Sequence, residues 1–91
     1  MSDLAYLAGI IDGEGSVGNH SAGVGKRRFV IEVKMTDEPL IDWLVATFGG
    51  FKQFRPKQNI KWKDQWRWRV QGKSAESLYA QVLPHLRIKI I

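Results

Sequence analysis

Asp12 and Glu14 close an apolar run from Leu4 to Ile11, in a stretch that reads Asp12-Gly13-Glu14-Gly15. If that run is helical, both acids stand at its C-terminal end. Unpaired carbonyls already make that pole negative, so an acid there is disfavoured by about 0.3–1 kcal/mol. The chain holds 14 Lys and Arg against 9 Asp and Glu, a net charge of +5, yet places no base at this point. Two acids at the wrong pole of a helix predict a cationic visitor. A divalent metal is the first candidate, because hard cations take carboxylate and carbonyl oxygens.

Other chemistries that this stretch could suggest fail on context. Gly13 to Gly18 has the spacing G-x-G-x-x-G, but a dinucleotide site follows a strand and opens a helix. Here the predicted order is the reverse. A kinase-type phosphate loop needs partner segments that 91 residues cannot supply. A calcium loop starting at Asp12 requires Gly at its sixth position and Glu at its twelfth, where Val17 and Gly23 stand. His20 and His85 are isolated, and the absence of Cys excludes disulfides and cysteine-based zinc sites.

A second group of residues points to a polyanion. Residues 50–73 hold eight bases (Lys52, Arg55, Lys57, Lys61, Lys63, Arg67, Arg69, Lys73) and one acid, Asp64. Such a cluster in a basic chain is the electrostatic footprint of a nucleic-acid binder. Composition alone would equally fit a solvated basic surface.

The elements that must position these residues follow from periodicity. A first helix is expected from Ser2 or Asp3, either of which can cap it, to about Asp12, stopped by Gly13 and Gly15. Its small residues Ala5, Gly9 and Gly13 fall four apart on one stripe, leaving Leu4, Leu7 and Ile11 to the core. A short strand is expected from Ser16 to about His20, then a turn over residues 21–25, then a strand from Lys26 to Met35. In the latter, Phe29, Ile31, Val33 and Met35 alternate with Arg28, Val30, Glu32 and Lys34. Thr36-Asp37-Glu38-Pro39 should open a second helix with a capping hydroxyl, and Gly49-Gly50 should end it. Phe51 to Lys57 is a third strand of ambiguous alternation, followed by a polar turn. Gln65 to Gln71 is the clearest strand: Trp66, Trp68 and Val70 point one way, Gln65, Arg67, Arg69 and Gln71 the other. Ser74 is expected to cap a last helix that Pro84 interrupts.

That order predicts one α+β domain over residues 1–91, two αββ units and a closing helix, with the helices on one face of a four-stranded antiparallel sheet. The other face would carry Arg28, Glu32, Lys34, Gln65, Arg67, Arg69 and Gln71. A twisted ribbon of this kind fits the DNA major groove, where Arg reads guanine and Gln reads adenine through paired hydrogen bonds. Lys57, Lys61 and Lys63 suit phosphate contacts.

Leu7-Ala8-Gly9-Ile10-Ile11-Asp12-Gly13-Glu14-Gly15 resembles the nine-residue signature of the LAGLIDADG homing endonucleases, departing at Ile10, Gly13 and Glu14. The resemblance extends through Met35-Thr36-Asp37, Phe48-Gly49-Gly50, the Trp-rich strand and Leu83-Pro84-His85-Leu86. It implies an αββαββα fold whose saddle-shaped sheet straddles DNA. It also implies a homodimer packed through the signature helices, with Ala5, Ala8, Gly9, Asp12 and Gly13 at the interface. Such pairing would answer the stability problem of a small chain without disulfides.

By the same resemblance, Glu14 would bind a divalent cation (Mg²⁺, or Mn²⁺ or Ca²⁺) beside the scissile phosphate, with Gly13 next to it. Asp12 would be mainly structural, and Lys89 would stabilise charge on the phosphate. Relatives often carry a Gln near the end of the second strand to place water; Met35 occupies that position here. The expected function is site-specific hydrolysis of double-stranded DNA at a long, nearly palindromic site, by an intron-type or similar homing enzyme. The alternatives are a non-catalytic DNA- or RNA-binding module on the same fold, serving as a regulator or splicing helper, and a basic domain that binds a protein partner. The run from Leu4 to Ile11 is too short to span a bilayer and follows Asp3 rather than a basic start, so no membrane partner and an intracellular, non-secreted location are expected.

Overall fold

The computed structural model describes residues 2–23, 25–55 and 63–88. Along the chain run α1 (Asp3–Glu14), β1 (Gly15–Gly23), β2 (Lys26–Met35), α2 (Glu38–Phe48), β3 (Phe51–Arg55), β4 (Gln65–Gln71), α3 (Lys73–Val82) and a 3-10 turn, η1 (Leu83–His85). The four strands form one antiparallel sheet in the order β1-β2-β4-β3. This is the expected α+β architecture with an open four-stranded sheet.

The central strands β2 and β4 carry the core. Ile31 and Val33 of β2, with Trp68 and Val70 of β4, meet Leu7 and Ile11 of α1, Ile41 and Leu44 of α2, and Leu78 and Val82 of α3 in one cluster. All three helices therefore cover the same face. Each fully buried Leu, Ile or Val contributes about 1.5–3 kcal/mol relative to exposure. Trp68 is the largest side chain buried completely among the described residues, and its indole Nε1 donates to the Gly49 carbonyl at 2.8 Å. Gly50 must approach β4 closely: it has φ +85°, and a Cβ there would lie 2.6 Å from the Arg69 carbonyl oxygen. The pair of glycines thus presses the end of α2 against the strand that carries the arginines.

Several helix and strand ends differ from the expectation. The first helix runs past Gly13 to Glu14, and Gly15 ends it in extended backbone. Gly15 is pinned there by space, since a Cβ would lie 2.9 Å from Ile11 Cα and 3.0 Å from the Glu32 carbonyl oxygen. Gly13 has no such contact, and one glycine costs a helix only about 1 kcal/mol. Of the two candidate caps for α1, Ser2 serves, its Oγ accepting from the Ala5 N–H at 3.1 Å. The α2 cap is Asp37 rather than the Thr36 hydroxyl; its Oδ1 accepts from the Leu40 N–H at 3.1 Å. Ser74 does not cap α3, which starts at Lys73 behind Gly72 with φ +71°. Gly72 donates its N–H to the Phe29 carbonyl at 2.9 Å, so a tertiary contact with β2 sets this junction.

The first strand is longer than its sequence suggested, because β2 offers it an unbroken partner from Val33 back to Arg27. A register shift between Ser21 and Gly23 accommodates its far end. The third strand is described to Arg55. The remainder of the expected strand, at Pro56 and Lys57, lies outside the described residues.

Candidate functional site

Cross-strand partners share a face, so the register assigns the open side of the sheet residue by residue. On β4, Gln65, Arg67, Arg69 and Gln71 turn away from the helices. Opposite them on β2 stand Lys34 (paired with Arg67), Glu32 (with Arg69) and Val30 (with Gln71). Arg28 continues the same face of β2 and is exposed. Gln53 and Phe51 of β3 pair with Arg67 and Arg69, and Ser16 of β1 pairs with Glu32. The expected Gln-Arg-Arg-Gln row is thus assembled on the face that the helices leave open.

Gln53 and Phe51 were missed because Phe51 to Arg55 reads ambiguously in sequence. Lys52 resolves the phase. Its Nζ lies 2.7 Å from Glu38 Oε2 and 2.8 Å from Asp42 Oδ1, both on α2. Lys52 therefore belongs to the helix side and its neighbours Phe51 and Gln53 to the open side. One of the eight clustered bases is accordingly occupied by α2.

The arginines are restrained. Glu32 Oε2 lies 3.4 Å from Arg67 Nη1 and 3.2 Å from Arg69 Nη1. Arg67 Nη2 also donates to Gln53 Oε1. Glu32 is only 7% exposed. It lies on the expected face, yet two guanidinium groups hold its carboxylate instead of leaving it open to solvent. Lys34, Gln65 and Lys63 are exposed and Gln71 is half-buried. Lys57, Lys61 and Lys89 lie outside the described residues.

At the end of α1 the two acids part company. Asp12 Oδ2 accepts the Arg87 N–H at 2.9 Å, and Oδ1 accepts the Ile88 N–H at 3.0 Å. It thereby ties the segment after η1 to the first helix. Glu14 is exposed. It lines a shallow depression of about 230 Å³ with Lys34, Met35, Thr36, Asp37 and Gln65. The candidate metal ligand and two members of the open face therefore border one hollow.

The expected pairing stripe is mostly uncovered. Around Gly9 and Gly13 a Cβ would meet nothing within 4 Å, and Ala5 is half-buried. Ala8 is corrected: it is fully buried in this chain's own core. The reason is helical phase, because Ala8 shares the Leu4 and Ile11 face rather than that of Ala5 and Gly9.

A model of the LAGLIDADG-like domain matches residues 2–82. The chain belongs to the LAGLIDADG family. Among solved structures, the homing endonuclease I-CvuI in complex with its target in the presence of 2 mM Ca superposes with TM-score 0.74 at 20% identity. The match covers 92% of this chain and 56% of that one. I-SmaMI bound to cleaved DNA gives TM-score 0.67 at 18% identity, covering 96% of this chain and 31% of that one. I-AabMI bound to uncleaved DNA gives 0.65 at 16%, covering 96% and 30%. At these identities the likeness is one of fold, and the chain spans about half the length of I-CvuI and under a third of the other two. A search of curated protein sequences matched none.

Within the LAGLIDADG signature, Leu7, Ala8 and Ile11 are core, Asp12 is a backbone acceptor, and Glu14 is the exposed acid. Among the described residues no three His, Cys, Asp or Glu side chains converge on a metal position. Glu14 and the carbonyl oxygens at the end of α1 are nevertheless hard donors of the type that Mg²⁺ and Ca²⁺ prefer. No helix among the described residues is long and apolar enough to cross a membrane.

Proposed function

We propose that this LAGLIDADG chain is a divalent-metal-dependent, site-specific DNA endonuclease that acts as a homodimer on a long, nearly palindromic duplex site. The observation that carries the reading is the placement of Glu14. Its exposed carboxylate closes a helix whose small-residue face is uncovered, and it borders the same hollow as Lys34 and Gln65 of the open sheet face. Two copies packed through Gly9 and Gly13 would bring two Glu14 carboxylates together at the dyad. Each sheet would then extend to one side along the duplex.

In that arrangement the residues divide the work. Arg67, Arg69, Gln65 and Gln71 face base edges, where Arg and Gln discriminate guanine and adenine. Arg28, Lys34 and Lys63 attract the phosphates, with Lys57 and Lys61 assigned to the same task. Glu14 and the Gly13 carbonyl would hold the cation, which when bound activates water and stabilises the charge of an in-line phosphodiester displacement. Lys89 is assigned to stabilising charge on the same phosphate. Asp12 holds the segment leading to Lys89 against the end of α1.

The test is selection of cleaved sites from a randomised duplex pool with and without Mg²⁺. Cleavage is expected only with the metal. Glu14→Gln should abolish cutting while leaving duplex binding largely intact; equal cutting by that variant would sink the catalytic assignment. Met35 favours a second reading, because an apolar side chain lines the hollow beside Glu14. A specific site bound without metal-dependent nicking would make the chain a DNA- or RNA-binding module on this fold.

A further inference from the structure

Arg67 and Arg69 lie two residues apart on one face of β4, so their charges oppose each other across a short distance. A single oxygen, Glu32 Oε2, reaches both, at 3.4 and 3.2 Å. The three side chains are largely withdrawn from water, at 14% exposure for Arg67, 21% for Arg69 and 9% for Glu32. The Nε atoms of both arginines are buried and have no hydrogen-bond partner among the described residues. Each guanidinium is thus held by its Nη1 corner, and Arg67 also by Gln53.

We infer that Glu32 is a specificity-determining positioning residue: it contacts no base itself but sets Arg67 and Arg69 in one orientation and halves their combined charge. The inference rests on the DNA-binding reading above. Its physical basis is a trade between two kinds of affinity. An Arg held in place loses less side-chain freedom when it meets a matching base edge. A carboxylate between two guanidinium groups also leaves the trio at +1 rather than +2, which weakens attraction to any phosphate backbone. Both effects widen the gap between right and wrong sequences, and specificity is that gap.

A neutral amide at position 32 reverses both effects with little change of shape. Glu32→Gln should bind a fixed mixed-sequence duplex several-fold more tightly at moderate salt. Its log affinity against log salt should steepen by about 0.9 per bound chain, the value for one added phosphate contact. Sequences that it selects from a randomised duplex pool without divalent metal should lose preference at the bases read by Arg67 and Arg69, by about tenfold or more at each. Glu32→Asp keeps the charge but retracts the oxygen by one methylene. It should retain the wild-type salt slope and still blur the selected bases, and it serves if the amide variant does not fold.

If these variants melt lower but select the same bases as sharply, Glu32 is only a structural tie and the inference is overturned. If the wild type binds no duplex with salt-sensitive affinity, the DNA-binding reading fails and takes this inference with it. If the wild type binds selectively but never cuts, only the catalytic reading fails, and the comparison of Glu32 variants still decides.

Discussion

Acids two residues apart can have unrelated tasks when one finds backbone donors and the other does not. Asp12 accepts from Arg87 N–H and Ile88 N–H, so Asp12→Ala should cost about 1–2 kcal/mol, the net worth of two hydrogen bonds. A drop of several degrees in Tm is the corresponding readout. Glu14→Gln should leave Tm unchanged or raise it slightly, because it removes an acid from a helix C-terminus, worth about 0.3–1 kcal/mol. Opposite signs for these two acids would separate a carboxylate that supports the fold from one that does not. Gly50 provides a second contrast at this scale. Gly50→Ala meets a backbone oxygen at 2.6 Å as well as an unfavourable φ, whereas Gly49 has φ +80° but open space. Gly50→Ala should therefore cost more than Gly49→Ala, beyond the roughly 1–3 kcal/mol expected for backbone strain alone. Denaturant titration of both variants checks the order.

Elements in this chain are fastened by contacts that sequence spacing does not display. The α2–β3 junction is held by Lys52, which reaches Glu38 and Asp42 across a gap in sequence. Hydrogen bonds that the Lys52 ammonium donates, first to Asp42 and then to Glu38, hold it above the ordinary lysine range. A raised folded pKa contributes stability that is complete below the unfolded value and lost as pH rises through the folded one. Tm curves of the wild type and Lys52→Met should therefore differ at neutral pH and converge at strongly alkaline pH. The effect will be small because the ammonium is solvent-screened. Of the basic residues between 50 and 73, Arg67 and Arg69 stand on the open face, whereas Lys52 turns to α2 and Lys73 begins α3. Only the phase of β3 against β4 reveals the turn of Lys52.

At the scale of the whole molecule, α1 has one face in the core and one face bare. Gly9→Ala should raise the helix propensity of α1 by about 0.8–1.0 kcal/mol, and in a lone chain nothing opposes it, since a Cβ there meets nothing within 4 Å. In a dimer packed through that stripe the same methyl would separate the backbones. The variant should thus melt higher when dilute and dissociate at higher concentration than the wild type, with sedimentation equilibrium measuring the second effect. A variant that melts higher and assembles as well as the wild type would remove α1 from the interface.

The alternation of β2 and β4, the glycines around Glu14 and the apolar phase of α1 are local properties, and they were enough to determine the element order and the faces of β2 and β4, while the resemblance of Leu7 to Gly15 to a known signature pointed to the family. Periodicity expresses which side of an element is buried, so it is written in neighbouring residues. Tertiary structure alone decided that Asp12 would spend its oxygens on Arg87 N–H and Ile88 N–H, that Lys52 turns to α2, and that Glu32 lies between two arginines. It also chose Asp37 over Thr36, and a tertiary contact of Gly72 over Ser74, at the helix starts. Those outcomes depend on which distant donor or acceptor arrives within about 3 Å, and no spacing along the chain encodes that distance. The acids that first marked this protein were visible as a pair in sequence; the fold separated them.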